Sequence, residues 1–112
     1  MSRVLLHNPS CSKSREAVEA LRSEKDLEVR KYLEKPLDEA ELRELIKKLD
    51  TPVSSLVRIK ESLFTEAPFD VNNPEEVIAN LAEKPKLMER PILVSDSKAT
   101  IGRPLEKILP AK

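Results

Sequence analysis

A strand that runs directly into a helix opens the chain, and this junction limits the folds that the rest can adopt. Residues 3–6 form a short apolar run, the Asn8-Pro9 pair interrupts it, and an amphipathic helical pattern extends from Ser12 to about residue 23. Residues 27–33 then alternate apolar and charged side chains, which is typical of a strand. Strands joined through a helix in this way are usually parallel. The sequence therefore predicts an α/β protein.

The middle of the chain carries three helix-start signals. They are the Asp38–Glu41 capping-box pair, Thr51-Pro52 and Asn73-Pro74. Apolar residues recur at helical spacing behind each signal, and no low-complexity linker or repeat separates them from the remainder. We therefore expect a helical insertion over about residues 37–84, packed on the same core within a single domain of residues 1–112.

The last quarter of the chain returns to strand patterns. Apolar residues 92–94, a polar turn at 96–98 and residues 99–102 predict a β-hairpin. Arg103-Pro104 is expected to start a closing helix whose inner face carries Leu105, Ile108 and Leu109. The order βαβ, helices, ββα predicts a thioredoxin-like fold, with a mixed four-stranded sheet and the helical insertion between its two halves.

The only cysteine, Cys11, falls at the predicted start of the first helix. Unpaired backbone N–H groups and the helix dipole stabilise negative charge there, and Lys13 and Arg15 add cations within one turn. Such surroundings lower a thiol pKa from about 8.5 into the range of roughly 3.5 to 7.5. A lone cysteine is more often a small buried apolar residue, but the serines and cations around Cys11 favour a reactive thiolate beside an oxyanion site.

Composition excludes several classes of protein. Twenty basic and twenty acidic residues give a net charge of zero, so a nucleic-acid partner is not expected. One cysteine excludes an internal disulfide or multi-cysteine metal site, and the single histidine removes the common zinc alternatives. Because neither a signal peptide nor an 18-residue apolar run is found, and a free thiol suits a reducing compartment, we expect a cytoplasmic protein without a membrane partner.

Three motifs together resemble the glutaredoxin-dependent arsenate reductase, or ArsC, family of bacteria, whose fold is thioredoxin-like. They are His7-Asn8-Pro9-Ser10-Cys11-Ser12-Lys13-Ser14-Arg15, Glu89-Arg90-Pro91-Ile92 and Ile101-Gly102-Arg103-Pro104. The resemblance runs essentially from end to end. It implies that Cys11 attacks arsenate and that Pro91, beside the active cysteine, follows a cis peptide bond.

The resemblance also assigns the remaining site residues. The oxyanion-binding residues it implies are Arg58, Arg90, Arg103 and the helix-opening Arg15. His7 and Ser14 match residues that favour the thiolate. Arginine suits this task because its planar fork binds two oxygens at once. Judged alone, each arginine would be a solvated surface residue, and His7 could equally be a strand-end histidine with local hydrogen bonds.

We expect Cys11 to form a thiol-arsenate adduct that glutathione, as co-substrate, and glutaredoxin then reduce. Ser14 fills the last place of what would be a Cys-x-x-Cys motif, so no resolving cysteine is present and the electrons must come from outside. Ala17 stands where the phosphatase-like arsenate reductases need an arginine. No bound cofactor or metal is expected, and the protein is taken as a monomer.

Two other functions remain open. A non-enzymatic regulator resembling Spx-type transcription factors would need a binding face and no oxyanion site, so the three arginines distinguish the two. A monothiol glutathione-dependent reductase with another anionic substrate would share both the thiol and the arginines.

Overall fold

The computed structural model describes residues 3–24 and 26–108. In these ranges four strands form one sheet in the order β2-β1-β3-β4. They are β1 (Arg3–His7), β2 (Leu27–Lys31), β3 (Ile92–Val94) and β4 (Ala99–Ile101). Strand β1 pairs parallel with β2 and antiparallel with β3, and β3 pairs antiparallel with β4. This mixed sheet with its inserted helices is the predicted thioredoxin-like fold.

Four α-helices and three short 3-10 segments complete the described part of the chain. The α-helices are α1 (Ser12–Leu21), α2 (Glu39–Lys48), α3 (Ser62–Glu66) and α4 (Pro74–Glu83). The 3-10 segments are Val53–Leu56, Pro85–Leu87 and Leu105–Lys107. Helix α2 begins with the predicted capping box, because the Asp38 side chain accepts the Glu41 N–H and the Glu41 side chain accepts the Asp38 N–H.

The boundaries of several elements differ from the predictions. Helix α1 ends at Leu21, two residues early, and β2 ends at Lys31 instead of residue 33. Helix α3 lies within the predicted helical insertion but had no start signal of its own, because it has five residues and no side-chain cap. The expected closing helix is only the 3-10 segment Leu105–Lys107, and the expected contribution of Leu109 lies outside the described residues.

The Thr51-Pro52 signal was expected to start a short helix with Arg58 near its end, but it starts the 3-10 segment Val53–Leu56, which ends before Arg58. The chain leaves the helical conformation at Val57 because its neighbours bond to a distant segment. The Glu89 N–H donates to the Leu56 carbonyl (2.7 Å) and the Arg58 N–H to the Leu87 carbonyl (2.8 Å). This bridge fixes Arg58 beside the segment that carries Glu89.

The sheet is buried on both faces. On one face, Leu6 and Ile92 pack with residues of the inserted helices such as Leu42 and Leu81. On the other face, a smaller cluster consists of Leu5, Ala17, Leu21 and Ile108. Adjacent Leu5 and Leu6 are 0% and 2% exposed, so β1 lies in the middle of the layers and its carboxyl end delivers the chain to Cys11. Within the described residues, none of the helices has the length and apolar character that crossing a membrane requires.

Candidate active site

Cys11 is the residue that precedes helix α1. Its backbone is extended (φ −99°, ψ 123°), and its carbonyl accepts the first helical hydrogen bond, from the Arg15 N–H at 3.0 Å. The side chain is half-buried. The predicted position of the thiol at a helix N-terminus is therefore observed, and the free N–H groups of the first turn face the same end of the helix.

The surroundings of the Cys11 thiol act on its pKa in opposite directions. Partial burial by itself raises the pKa. The backbone N–H of Ser14, the hydrogen bond and positive charge of the Arg90 side chain, and the backbone N–H of Lys13 lower it and prevail, so the pKa of Cys11 lies below its ordinary value. The Arg103 guanidinium adds a hydrogen bond, with Nη2 3.6 Å from the sulfur. The site thus favours the nucleophilic thiolate.

Ser14 joins the end of β1 to the first turn of α1 without touching the sulfur through its hydroxyl. Its Oγ accepts the Asn8 N–H at 2.9 Å and lies 2.8 Å from His7 Nδ1. All three residues are buried, and Ser14 is 0% exposed. The hydroxyl therefore fixes the loop that presents Cys11, and the Ser14 backbone N–H is the group that acts on the thiolate.

The surroundings of His7 lower its pKa and so favour the neutral imidazole. Burial lowers its pKa, and the positive charges of Lys31 and Arg15 lower it further. An imidazolium paired with the thiolate is thus disfavoured, and any support that His7 gives to the thiolate passes through its contact with Ser14. The local hydrogen-bonding role and the thiolate-supporting role proposed for His7 are therefore compatible.

A cavity of about 510 Å³ lies beside the thiol. Its lining residues are Val57, Arg58, Ile59, Lys60, Glu61, Glu89, Arg90 and Arg103. Three arginines that lie far apart in sequence, Arg58, Arg90 and Arg103, thus meet in one cavity. Cys11 is outside this lining and is connected to it through Arg103, whose guanidinium reaches the sulfur.

Backbone carbonyls and carboxylates orient the three arginines. Arg58 donates to the Lys86 carbonyl at 3.1 Å and pairs with Glu61 at 3.4 Å. Arg103 Nε donates to the Arg90 carbonyl at 2.9 Å. The Arg90-Pro91 and Arg103-Pro104 peptide bonds are both cis, the first as the resemblance implied.

Arg15 is placed differently from the other predicted anion ligands. Its exposed side chain donates to the Pro9 carbonyl at 2.8 Å. Among the described residues it does not belong to those that line the cavity. Its contribution to anion binding stays a prediction, whereas its contact with Pro9 helps to hold the loop before Cys11.

Two acidic residues of the cavity were missed by the sequence analysis. Glu61 pairs with Arg58, and Glu89 pairs with Arg90 at 2.9 Å. Glu89 adjoins Arg90 in a motif that was already recognised, so its position gave a usable signal, but Glu61 gave none. Among the described residues, four cationic side chains and two carboxylates line the cavity, and together they give it a net positive charge that suits an anion.

Tyr32 is a further residue that the sequence did not single out. It is 0% exposed. It lies near the site, since the charges of Arg90, Arg58 and Cys11 act on the pKa of its hydroxyl. Burial raises its pKa to about 12, so the phenol stays protonated. The Asn8 side chain lies near the hydroxyl without a hydrogen bond of good geometry.

The arrangement places a nucleophile, Cys11, next to a positively charged cavity that can bind an anion. A thiolate that approaches an anion is repelled, and the guanidinium groups reduce that repulsion. In the described part of the chain, no group of three or more His, Cys, Asp or Glu residues is arranged to hold a metal ion. The chemistry that this site suits best is nucleophilic attack by sulfur on an oxyanion.

Comparison with known proteins gives consistent likenesses. The model of a family described as the ArsC family matches residues 6–111. An Escherichia coli K12 protein named Uncharacterized protein YfgD is 46% identical, covering 94% of this chain and 92% of that protein. A Neisseria meningitidis serogroup A protein named arsenate reductase is 39% identical, covering 93% and 92%. A solved structure named as arsenate reductase from Vibrio cholerae has a TM-score of 0.83 and 38% identity, covering 96% and 95%.

Proposed function

This chain belongs to the ArsC family, and we propose that it is an arsenate reductase in which Cys11 attacks the arsenic atom. Relatives from Neisseria meningitidis and Vibrio cholerae that bear the name arsenate reductase support this assignment. The observation that carries it is the 3.6 Å contact between Arg103 Nη2 and Cys11 Sγ, which joins a thiol of lowered pKa to an arginine-lined cavity.

The first step forms a bond between sulfur and arsenic. The Cys11 thiolate attacks arsenate, and one arsenate oxygen takes up protons and leaves as water. Arg58, Arg90 and Arg103 bind the remaining oxygens and offset the charge of the approaching thiolate. Arginine forks can follow two oxygens of the oxyanion as its geometry changes during attack.

The second step reduces arsenic with two thiols from outside the chain. No second cysteine is available in the sequence to form a disulfide with Cys11. Glutathione supplies one thiol and glutaredoxin the other. The two thiols give up two electrons and become a mixed disulfide, arsenic passes from the pentavalent to the trivalent state, and arsenite leaves while the Cys11 thiolate is restored.

The test is arsenate-dependent NADPH oxidation with glutathione, glutaredoxin and glutathione reductase present. The wild type should turn over, Cys11→Ser should lose turnover to background, and Ser12→Ala, an exposed neighbour, should keep wild-type activity. Omitting glutaredoxin should abolish multiple turnover. Activity retained by Cys11→Ser would contradict the nucleophile assignment.

A second result would redirect the assignment. If the wild type is inactive while the coupling components reduce a control substrate, the proposed function is wrong. Arsenate or phosphate would still raise the melting temperature if the cavity binds oxyanions. Such a result would favour a glutathione-dependent reductase with another anionic substrate, whereas no thermal shift would favour the Spx-type regulator.

A further inference from the structure

Glu89 places a carboxylate inside a cavity that is otherwise suited to anions. Its Oε1 accepts a hydrogen bond from Arg90 Nη1 at 2.9 Å and lies 3.8 Å from Arg103 Nε. The Arg90 backbone N–H approaches the same oxygen at 3.3 Å. Thus a single oxygen of this carboxylate, Oε1, makes the contacts with both Arg90 and Arg103.

The other oxygen of Glu89, Oε2, accepts no hydrogen bond from residues 3–24 or 26–108. Glu89 lines the cavity, and its side chain is 24% exposed, so a small ligand can reach the carboxylate. Glu61, the other acidic residue of the cavity, differs in this respect. Its Oε2 lies 3.4 Å from Arg58 and its Oε1 lies 3.5 Å from Lys86.

A carboxylate discriminates between tetrahedral oxyanions by their protons. Sulfate and selenate carry no proton near neutral pH. Each of their oxygens is therefore a hydrogen-bond acceptor that the negative charge of the Glu89 carboxylate repels. Arsenate and phosphate keep at least one O–H, which can donate to a carboxylate oxygen in a charge-assisted hydrogen bond. Binding is weakened when an oxyanion acceptor faces the carboxylate oxygen, and it is strengthened when an O–H of the oxyanion donates to that oxygen.

We propose that Glu89 is a specificity-determining residue that selects protonated tetrahedral oxyanions by accepting their O–H through Oε2. Arg58, Arg90 and Arg103 attract any such oxyanion, and Glu89 rejects those that have no proton to donate. The inference rests on the proposed function, because it takes the arginine cavity as the arsenate site. It implies that phosphate competes with arsenate far better than sulfate does.

Binding of arsenate and selenate to the full chain at pH 8, measured by calorimetry without thiols, tests this selection. Both ions are then mainly dianions of similar size, and only arsenate carries a proton. The wild type should bind arsenate at least about tenfold more tightly than selenate. Glu89→Gln should bring the two affinities within about twofold, because an amide keeps the size, removes the charge and offers a donor.

Glu61→Gln is the matched control. It removes the same charge from the same cavity, but it replaces a carboxylate whose two oxygens already face cations. Both dissociation constants should therefore shift by the same factor, and the arsenate-to-selenate ratio should stay as in the wild type. Glu89→Asp keeps the charge and should keep part of the preference for arsenate, so it serves if Glu89→Gln fails to fold.

Two results would overturn the inference: an unchanged ratio in Glu89→Gln, or an equal loss of selectivity in Glu61→Gln. The phosphate and sulfate pair, measured in the same way, should repeat the pattern. Because binding needs no turnover, a chain that binds arsenate selectively but fails to reduce it would refute the proposed function and leave the selectivity of Glu89 standing. Activity without selectivity would do the reverse.

Discussion

Arg103 Nη2 lies 3.6 Å from Cys11 Sγ, although the two residues are 92 positions apart in the chain. The contact depends on the hairpin at the end of the sheet, because Arg103 directly follows Gly102, whose N–H donates to the Pro91 carbonyl at 2.8 Å. Arg103 Nε is bonded at the same time to the Arg90 carbonyl. The guanidinium thus spans the thiol and the segment that carries the second arginine.

The lowered pKa of Cys11 predicts its reactivity and a pH dependence of stability. The rate of alkylation by iodoacetamide should reach half its maximum at a pH below that of the unfolded chain, about 8.5. The folded state favours the Cys11 thiolate. The stability that this thiolate contributes is therefore present above the pKa of Cys11 in the unfolded chain, and it is lost as the pH falls through the pKa of Cys11 in the folded chain. Equal alkylation midpoints for the folded and urea-unfolded chains would contradict this.

Arg103→Lys should lower kcat/KM for arsenate by roughly 10- to 100-fold, because a lysine keeps the charge but cannot bond the thiol and the Arg90 carbonyl at once. The matched control is Arg43→Lys, since Arg43 pairs with Glu75 on an exposed surface. Its kcat/KM should stay within about twofold of the wild type. Equal effects of the two substitutions would remove Arg103 from the site.

Ser14→Ala should lower the free energy of unfolding by about 1 to 3 kcal/mol, because the buried Asn8 N–H would lose its acceptor. Ser12→Ala is the control, as Ser12 is exposed in the first turn of α1, and it should change stability by no more than about 0.5 kcal/mol. Urea denaturation followed by circular dichroism measures both. Similar midpoints would show that the Ser14 hydroxyl does not support the loop.

His7, the single histidine, should titrate below its ordinary pKa of about 6.5 because of its burial and the charges of Lys31 and Arg15. Its ring signals can be followed by NMR without ambiguity. Between the folded and unfolded pKa values of His7, the unfolded chain binds more protons than the folded chain. The stability that neutral His7 contributes is therefore fully present above about pH 6.5 and is lost as the pH falls through the folded pKa. A midpoint at or above 6.5 would contradict the neutral imidazole.

Local chemistry explains why much of the fold could be predicted. The Asp38 capping box and the Asn73 cap each satisfy backbone N–H groups within a few residues, so the sequence alone predicts where α2 and α4 begin. The apolar run in β1, the alternation of apolar and charged residues in β2 and the polar turn before β4 are equally local signals. The motifs also predicted the family, which the match over residues 6–111 confirms.

Contacts between distant segments explain what could not be predicted. The turn before Val57 ends early because residues 56 and 58 bond to residues 87–89, and this bridge brings Arg58 to the cavity. No periodicity in either segment indicates the pairing. Glu61 follows Arg58 by only three residues, and their ion pair is part of the same cavity lining.

Gly102 is the only glycine of the sequence, and the structure requires it for space instead of for a special backbone angle. A Cβ there would lie 2.8 Å from Ile108 Cδ1 and 3.1 Å from Pro91 Cγ. Gly102→Ala should therefore destabilise the chain by about 1 to 3 kcal/mol and, by displacing Arg103, also lower kcat/KM for arsenate.

Ile108→Val removes the methyl group nearest to Gly102, and alone it should lower the free energy of unfolding by about 0.5 to 1.5 kcal/mol. In the double variant the two losses should be less than additive by at least about 0.5 kcal/mol. Strict additivity in urea denaturation would show that the Gly102 site does not depend on Ile108.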